Sequence, residues 1–119
     1  MSPFARIVIS GLLGAALLAG TARADGFVSG IEDLPLMAGL TEVTDTGTVF
    51  DQPSGRFVEA YAVGAVTVEA VARFYQDTLP HLGWQADGPM SFAREGERLS
   101  IVMTTADGTL TVHFSLSPD

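Results

Sequence analysis

Across residues 68–82 the apolar positions Val68, Val71, Ala72, Tyr75, Leu79 and Leu82 recur at the spacing of one helix face, the strongest periodic signal in the chain. Thr67 stands where a side-chain oxygen accepts an early backbone N–H, and Glu69 puts negative charge in the first turn, where the helix dipole favours it. Glu69, Arg73 and Asp77 follow one another at four-residue spacing on the outer side. They predict two ion pairs worth only about 0.2–0.5 kcal/mol each, so tertiary packing must hold this helix. Its end is written in the stretch Phe74-Tyr-Gln-Asp-Thr-Leu-Pro-His-Leu-Gly-Trp84. Pro80 has no N–H to give the carbonyl of Gln76 and its ring crowds the preceding turn. Gly83 accepts the left-handed conformation that terminates helices, and Trp84 is placed to fold back on the last turn as a core anchor.

Period-two patterns flank the helix. Residues 48–51 and 56–63 are rich in β-formers and are separated by Gln52-Pro53-Ser54-Gly55, which predicts a hairpin. In its second strand Val58, Ala60 and Ala62 alternate with Phe57, Glu59, Tyr61 and Val63. Alternation alone leaves the inward face open, and the small set suits the position beneath the helix. Beyond the helix, apolar-polar segments lie around Trp84 and over residues 90–94, 99–103 and 110–116. The last is clearest, with Leu110, Val112, Phe114 and Leu116 on one face and Thr111, His113, Ser115 and Ser117 on the other. Glu95-Gly96-Glu97 and Ala106-Asp107-Gly108-Thr109 mark turns between these runs. The expected fold is α+β: an antiparallel β-sheet in the order β-β-α-β-β-β with one main helix packed on one face. No internal repeat is present.

The N-terminal region follows neither period. Residues 1–24 read as a secretory signal peptide, with Arg6, an apolar run over residues 7–20 and Ala22-Arg23-Ala24 as a small-residue cleavage site. The run has 14 residues where a membrane span needs about 20, so no membrane anchor is expected after cleavage behind Ala24. Leu18-Ala19-Gly20 resembles the start of a lipoprotein box, but Thr21 occupies the place of the acylated cysteine. A periplasmic or secreted bacterial protein is the expectation. Residues 25–39 carry Gly26, Gly30, Pro35 and Gly39 among scattered apolar residues and read as an irregular N-terminal arm, whose Ile31, Leu34, Leu36 and Met37 are able to lie along the body. Residues 40–119 form the single α+β domain.

Composition narrows the picture further. The expected mature chain of 95 residues suits one core, and it has no cysteine to staple it. It carries Arg56, Arg73, Arg94 and Arg98 against fourteen carboxylates, a side-chain charge of −10 with no lysine. Nucleic acid is excluded as a partner, because binding phosphates requires clustered cations. Anionic membrane surfaces should repel the chain, a basic protein partner is compatible with it, and solubility alone accounts for such a charge.

Val71, Phe74, Tyr75, Leu79, Pro80, Leu82, Gly83 and Trp84, with Phe-Asp-Gln-Pro-Ser-Gly-Arg at 50–56 before them and Arg94-Glu95-Gly96-Glu97 after, give the chain a resemblance. It resembles a family of small exported proteobacterial proteins of uncharacterised function with an FY-x3-LP-x-LGW stretch. The resemblance implies export and one compact domain, and no activity, cofactor or catalytic residue.

Candidate chemistry is sparse. Tyr75, His81 and Trp84 are the candidate ligand-binding residues, since aromatic faces around a cleft bind a sugar ring or an apolar ligand; buried core aromatics explain Tyr75 and Trp84 equally well. Asp45-Thr46-Gly47 is similar to the active-site tripeptide of aspartic proteases, where paired carboxylates activate water. Glu42, Val43 and Thr44 are not the apolar strand that precedes it there, and a turn between short strands accounts for the same letters. Metal chemistry would fall to His81, His113 and carboxylates, without thiolates and without a His-Glu-x-x-His string. Glu95 and Glu97, bracketed by Arg94 and Arg98, read as a charged hairpin tip. No Gly-x-Ser-x-Gly string and no phosphate-binding glycine loop occurs. The expectation is therefore a noncatalytic periplasmic or secreted binding domain, without cofactor, for an envelope protein or small ligand. A hydrolase built from His81 or His113 with a distant carboxylate and a hydrophobic-ligand carrier are the alternatives.

Overall fold

In the computed structural model, which describes residues 24–119, the elements run β1 (Ala24–Phe27), β2 (Pro35–Met37), β3 (Thr41–Gln52), β4 (Gly55–Gly64), α1 (Val68–Thr78), a 3-10 turn (Leu79–Leu82), β5 (Gln85–Gly88), β6 (Ser91–Arg94), β7 (Glu97–Ala106) and β8 (Thr109–Pro118). The result is a sheet-dominated α+β fold. Six strands form one antiparallel sheet in the order β3-β4-β8-β7-β6-β5, and β1 and β2 form a separate two-stranded ribbon. The leader expected over residues 1–24 lies, apart from Ala24, outside the described residues.

The alternation in β8 is realised in full: Leu110, Val112, Phe114 and Leu116 are all buried. Register carries this row sideways, because residues paired across an antiparallel ladder share a face. Leu116, Phe114 and Val112 pair with Val58, Ala60 and Ala62 of β4, and on the other side with Leu99, Ile101 and Met103 of β7. Val58, Ala60 and Ala62 are buried, so the small set of β4 does face the core. Phe92 of β6 extends the row by pairing with Leu99.

Thr67 caps α1, its hydroxyl accepting from the backbone N–H of Ala70 at 3.0 Å. The buried residues of the helix are Val71, Phe74 and Tyr75, and the edge of the Tyr75 ring meets Phe114 of β8 with centroids 5.5 Å apart. The stripe is rotated from its expected position, since Phe74 is buried while Val68 is 39 % exposed. On the outer side Arg73 closes no ion pair among the described residues, in keeping with how little such exposed pairs gain. The helix gives way at Pro80 to the 3-10 turn, which ends at Gly83 with φ 93°. Trp84 then donates its backbone N–H to the carbonyl of Leu79 at 3.1 Å and buries its indole to 2 % exposure. A proline stop, a left-handed glycine and an apolar residue folded back are thus one structural unit.

Three further features differ from the sequence expectation. The arm is not wholly irregular, because residues 24–27 and 35–37 pair as β1 and β2; strands this short, with Gly26 and Pro35 in them, leave no period to read. β3 starts at Thr41 rather than Thr48. Val43 pairs with Tyr61 and Thr48 with Glu59, so four residues, 44–47, stand opposite Ala60 alone. Asp45-Thr46-Gly47 therefore lies in a bulge of an edge strand and not in a turn between strands, and the bulge hides the alternation that would have joined the two halves. Finally, four strands follow the helix instead of three, since residues 85–88 pair with β6.

The arm also contributes core. Val28, Ile31, Leu34, Leu36 and Met37 are all buried. The Tyr75 hydroxyl donates to the carbonyl of Pro35 at 2.8 Å and accepts the N–H of Met37 at 3.2 Å, which satisfies two backbone groups of β2 inside the core. At the end of β4, Gly64 lies so close to the carbonyl of Gly39 that a Cβ there would overlap it. Replacing Trp84 with alanine should cost about 3–5 kcal/mol, the usual loss for emptying a buried Trp site. In a domain of this size that lowers the melting temperature by about 12 °C or more, and an unchanged melting curve would contradict the anchor role.

Candidate functional site

The residues that alternate with the core rows occupy the opposite face of the sheet. Pairing aligns Val43 with Tyr61, Tyr61 with His113 and His113 with Val102, a row that crosses β3, β4, β8 and β7. The Tyr61 and His113 rings are parallel within 3° with centroids 4.3 Å apart. That separation is close to the spacing between strands, so the rings stand upright from the sheet and stack on each other. Solvent meets ring edges here, and the row is a ridge rather than a flat platform for a sugar. Val102, at 55 % exposure, ends it. Nearer the β3–β4 turn Phe50 stacks on Phe57 at 5.4 Å, with Phe50 44 % exposed.

A polar row runs beside the ridge, with Glu59 opposite Ser115 and Ser115 opposite Ser100. Glu59 Oε1 lies 2.8 Å from His113 Nε2. The contact is partly solvated, with side-chain exposures of 27 % for His113 and 47 % for Glu59, so it contributes about 0–1 kcal/mol. A histidine held by a carboxylate is two-thirds of a hydrolytic triad, and the third part requires a hydroxyl or thiol within hydrogen-bond reach of the imidazole. Among the described residues no hydroxyl hydrogen-bonds His113. What this face offers chemically is apolar contact, ring edges and a hydrogen-bonding rim.

The structure does not gather Tyr75, His81 and Trp84 around a cleft. Tyr75 is fully buried, and burial pushes its phenol well above the ordinary tyrosine range against the smaller opposing effect of the Met37 N–H. Trp84 is buried too, and its Nε1 has no hydrogen-bond partner. His81 is exposed on the 3-10 turn. An open cleft of about 390 Å³ does lie nearby, between Leu82, Gln85, Glu95 and Asp119. Its one cation, Arg94, is committed to structure. Arg94 grips both carboxylate oxygens of Asp33 at 2.7 and 3.1 Å and the carbonyl of Leu82 at 2.9 Å, and its guanidinium carbon sits 4.3 Å from the centre of the Trp84 ring. It thereby ties the arm to the helix end.

The expected charged tip at residues 94–98 is likewise redistributed. Glu97 pairs with Arg56 of β4 at 3.0 Å, and Arg98 pairs with Asp87 at 2.6 Å and Asp119 at 2.8 Å, so these charges stitch distant segments together rather than each other. Among the described residues no group of three or more His, Asp or Glu side chains is placed to hold a metal, and no helix is long and apolar enough to cross a membrane. The members of the Tyr61–His113 ridge come from four strands; the signals of it in the sequence were the set Phe57, Glu59, Tyr61 and Val63 of β4 and the place of His113 on the polar face of β8. Comparison with protein-family models, with curated proteins and with solved structures finds no match.

Arg94 holds the Asp33 carboxyl below its ordinary value of 3.8, chiefly through the hydrogen bond between them. A depressed carboxyl stabilises the fold above its unfolded-state pKa, and this stabilisation disappears as pH falls through the lower folded-state value. The Asp33→Asn variant should therefore be less stable than the parent at neutral pH and converge with it below about pH 3.8. Melting temperatures of both proteins across pH check this; a gap that stays constant into acid would contradict it.

Proposed function

We propose that this chain is an exported, noncatalytic binding domain that takes a protein partner on the sheet face carrying Tyr61, His113 and Val102. In this reading the helix and the arm together cover the other face of the sheet, and the domain acts in the periplasm or outside the cell, a location supported by the leader-like residues 1–24 and the resemblance to small exported proteobacterial proteins. The observation that carries the reading is the contrast between the two faces. One contributes to a closed core that contains no buried polar or charged residue among those described. The other sets an exposed valine and a stacked aromatic pair in line across three strands, beside a rim of serines. An interface built this way places an apolar centre within a polar margin, as specific protein interfaces do.

The acidic balance favours a partner with a cationic surface and steers its approach. Direct packing of the Tyr75 ring on Phe114 between helix and sheet weighs against a carrier, and a His113–Glu59 contact that no hydroxyl joins among the described residues weighs against hydrolysis. Native protein is to be isolated from the envelope fraction beside Val102→Glu and Tyr61→Ala variants. Val102→Glu changes an exposed residue and should alter stability by no more than about 0.5 kcal/mol. The expected result is a partner retained by the parent and lost from both variants, with the melting temperature of Val102→Glu unchanged. Equal retention by all three, or nothing reproducibly retained by the parent, would count against the proposal.

A further inference from the structure

We infer that β3 is a docking edge, and that its occupant is an extended cationic segment of another protein that adds to the sheet as a seventh strand. Two strands end the six-stranded sheet, β3 and β5, and an edge strand turns alternate N–H and C=O groups away from its single partner. The two edges are not equivalent. β5 has four exposed residues, Gln-Ala-Asp-Gly, with a register shift before Gly88, and offers neither length nor side chains to grip. β3 has twelve residues, and beyond its bulge residues 48–52 run in unbroken register against residues 55–59. Within that run Val49 is 59 % and Phe50 44 % exposed, and being adjacent they point to opposite faces. A strand laid along this edge would cover both, one on each side of the ladder.

Charge selects the occupant. β3 carries Glu42 and Asp51 among its described side chains and no cation, and Glu59 lies across from Thr48 on β4. The one arginine beside it, Arg56, is opposite Asp51 but gives its hydrogen bonds to Glu97 and to the carbonyl of Gly30. A second copy of the chain would set the Glu42 and Asp51 carboxylates against their own copies within a molecule whose expected mature charge is −10. A lysine- or arginine-bearing strand with alternating apolar residues meets both features, apolar side chains against Val49 and Phe50 and cations against the acids. Such a strand would also continue the ridge outward, since Val43 of β3 is its first member.

The inference rests on reading the domain as a binding module, and the two fail separately. Envelope capture scores the Tyr61–Val102 row, whereas the β3 edge is scored with a defined probe, a short peptide of alternating lysine and valine. Its control is the same peptide N-methylated at alternate residues, which keeps charge and apolarity but cannot pair as a strand. Binding should slow amide exchange within residues 48–52, and N-methylation should weaken it by at least about tenfold, as should the double substitution Val49→Lys and Phe50→Lys in a protein that still melts as the parent does. Equal binding of the N-methylated peptide, protection confined to other strands, or no binding at about 1 mM peptide would overturn the proposal. So would concentration-dependent self-association of the free protein that protects the same amides.

Discussion

The Tyr75 hydroxyl, buried between α1 and β2, is the contact on which the rest of this fold depends. A small domain without cysteine depends on apolar burial for its stability, and here several of the buried side chains come from the arm. Burying an arm also buries backbone, and a buried N–H or C=O left unpaired costs about 1–3 kcal/mol. Tyr75 resolves the conflict by giving its proton to the Pro35 carbonyl and taking that of the Met37 amide. Its ring meanwhile packs edge-on against Phe74 and Phe114, so one side chain joins helix, sheet and arm.

Around that contact the charged residues act as latches at the rim of the core. Arg94 clamps Asp33 and the carbonyl of Leu82, Arg56 reaches the carbonyl of Gly30 and Glu97, and Glu42 accepts the amide of Ser29. Each of these three latches holds the arm. The sheet face away from the core rows sets Val43, Tyr61, His113 and Val102 in line, beside the Glu59–His113 and Arg98–Asp87 pairs, and this row motivates the binding reading.

Local physics was legible in the sequence and long-range physics was not. The Thr67 cap, the Pro80 stop, the left-handed Gly83 and the alternation of β8 each depend on residues within a turn or a strand, and all appear as read. The rotation of the helix stripe that buries Phe74 and exposes Val68 depends on what the helix meets, and that includes an arm whose strands are too short to show a period. The bulge opposite Ala60 masked the first half of β3, because Glu42, Asp45 and Gly47 look like loop until the pairing partner is known. Arg94 with Asp33, and Tyr61 with His113, are tens of residues apart in the chain; no spacing rule links them. Aromatic content drew attention to Tyr75 and Trp84, which turned out to hold the core, while the exposed aromatics stood on strands that read as ordinary hairpin.

The central claim is that the arm is an integral wall of the core, fastened through the Tyr75 hydroxyl. Equilibrium denaturation of the Tyr75→Phe variant tests it most directly, because the substitution removes one oxygen and leaves the ring packing in place. The account predicts a loss of about 1–3 kcal/mol, together with faster amide exchange at Met37 and its neighbours in β2. Unchanged stability with an arm as protected as before would contradict it.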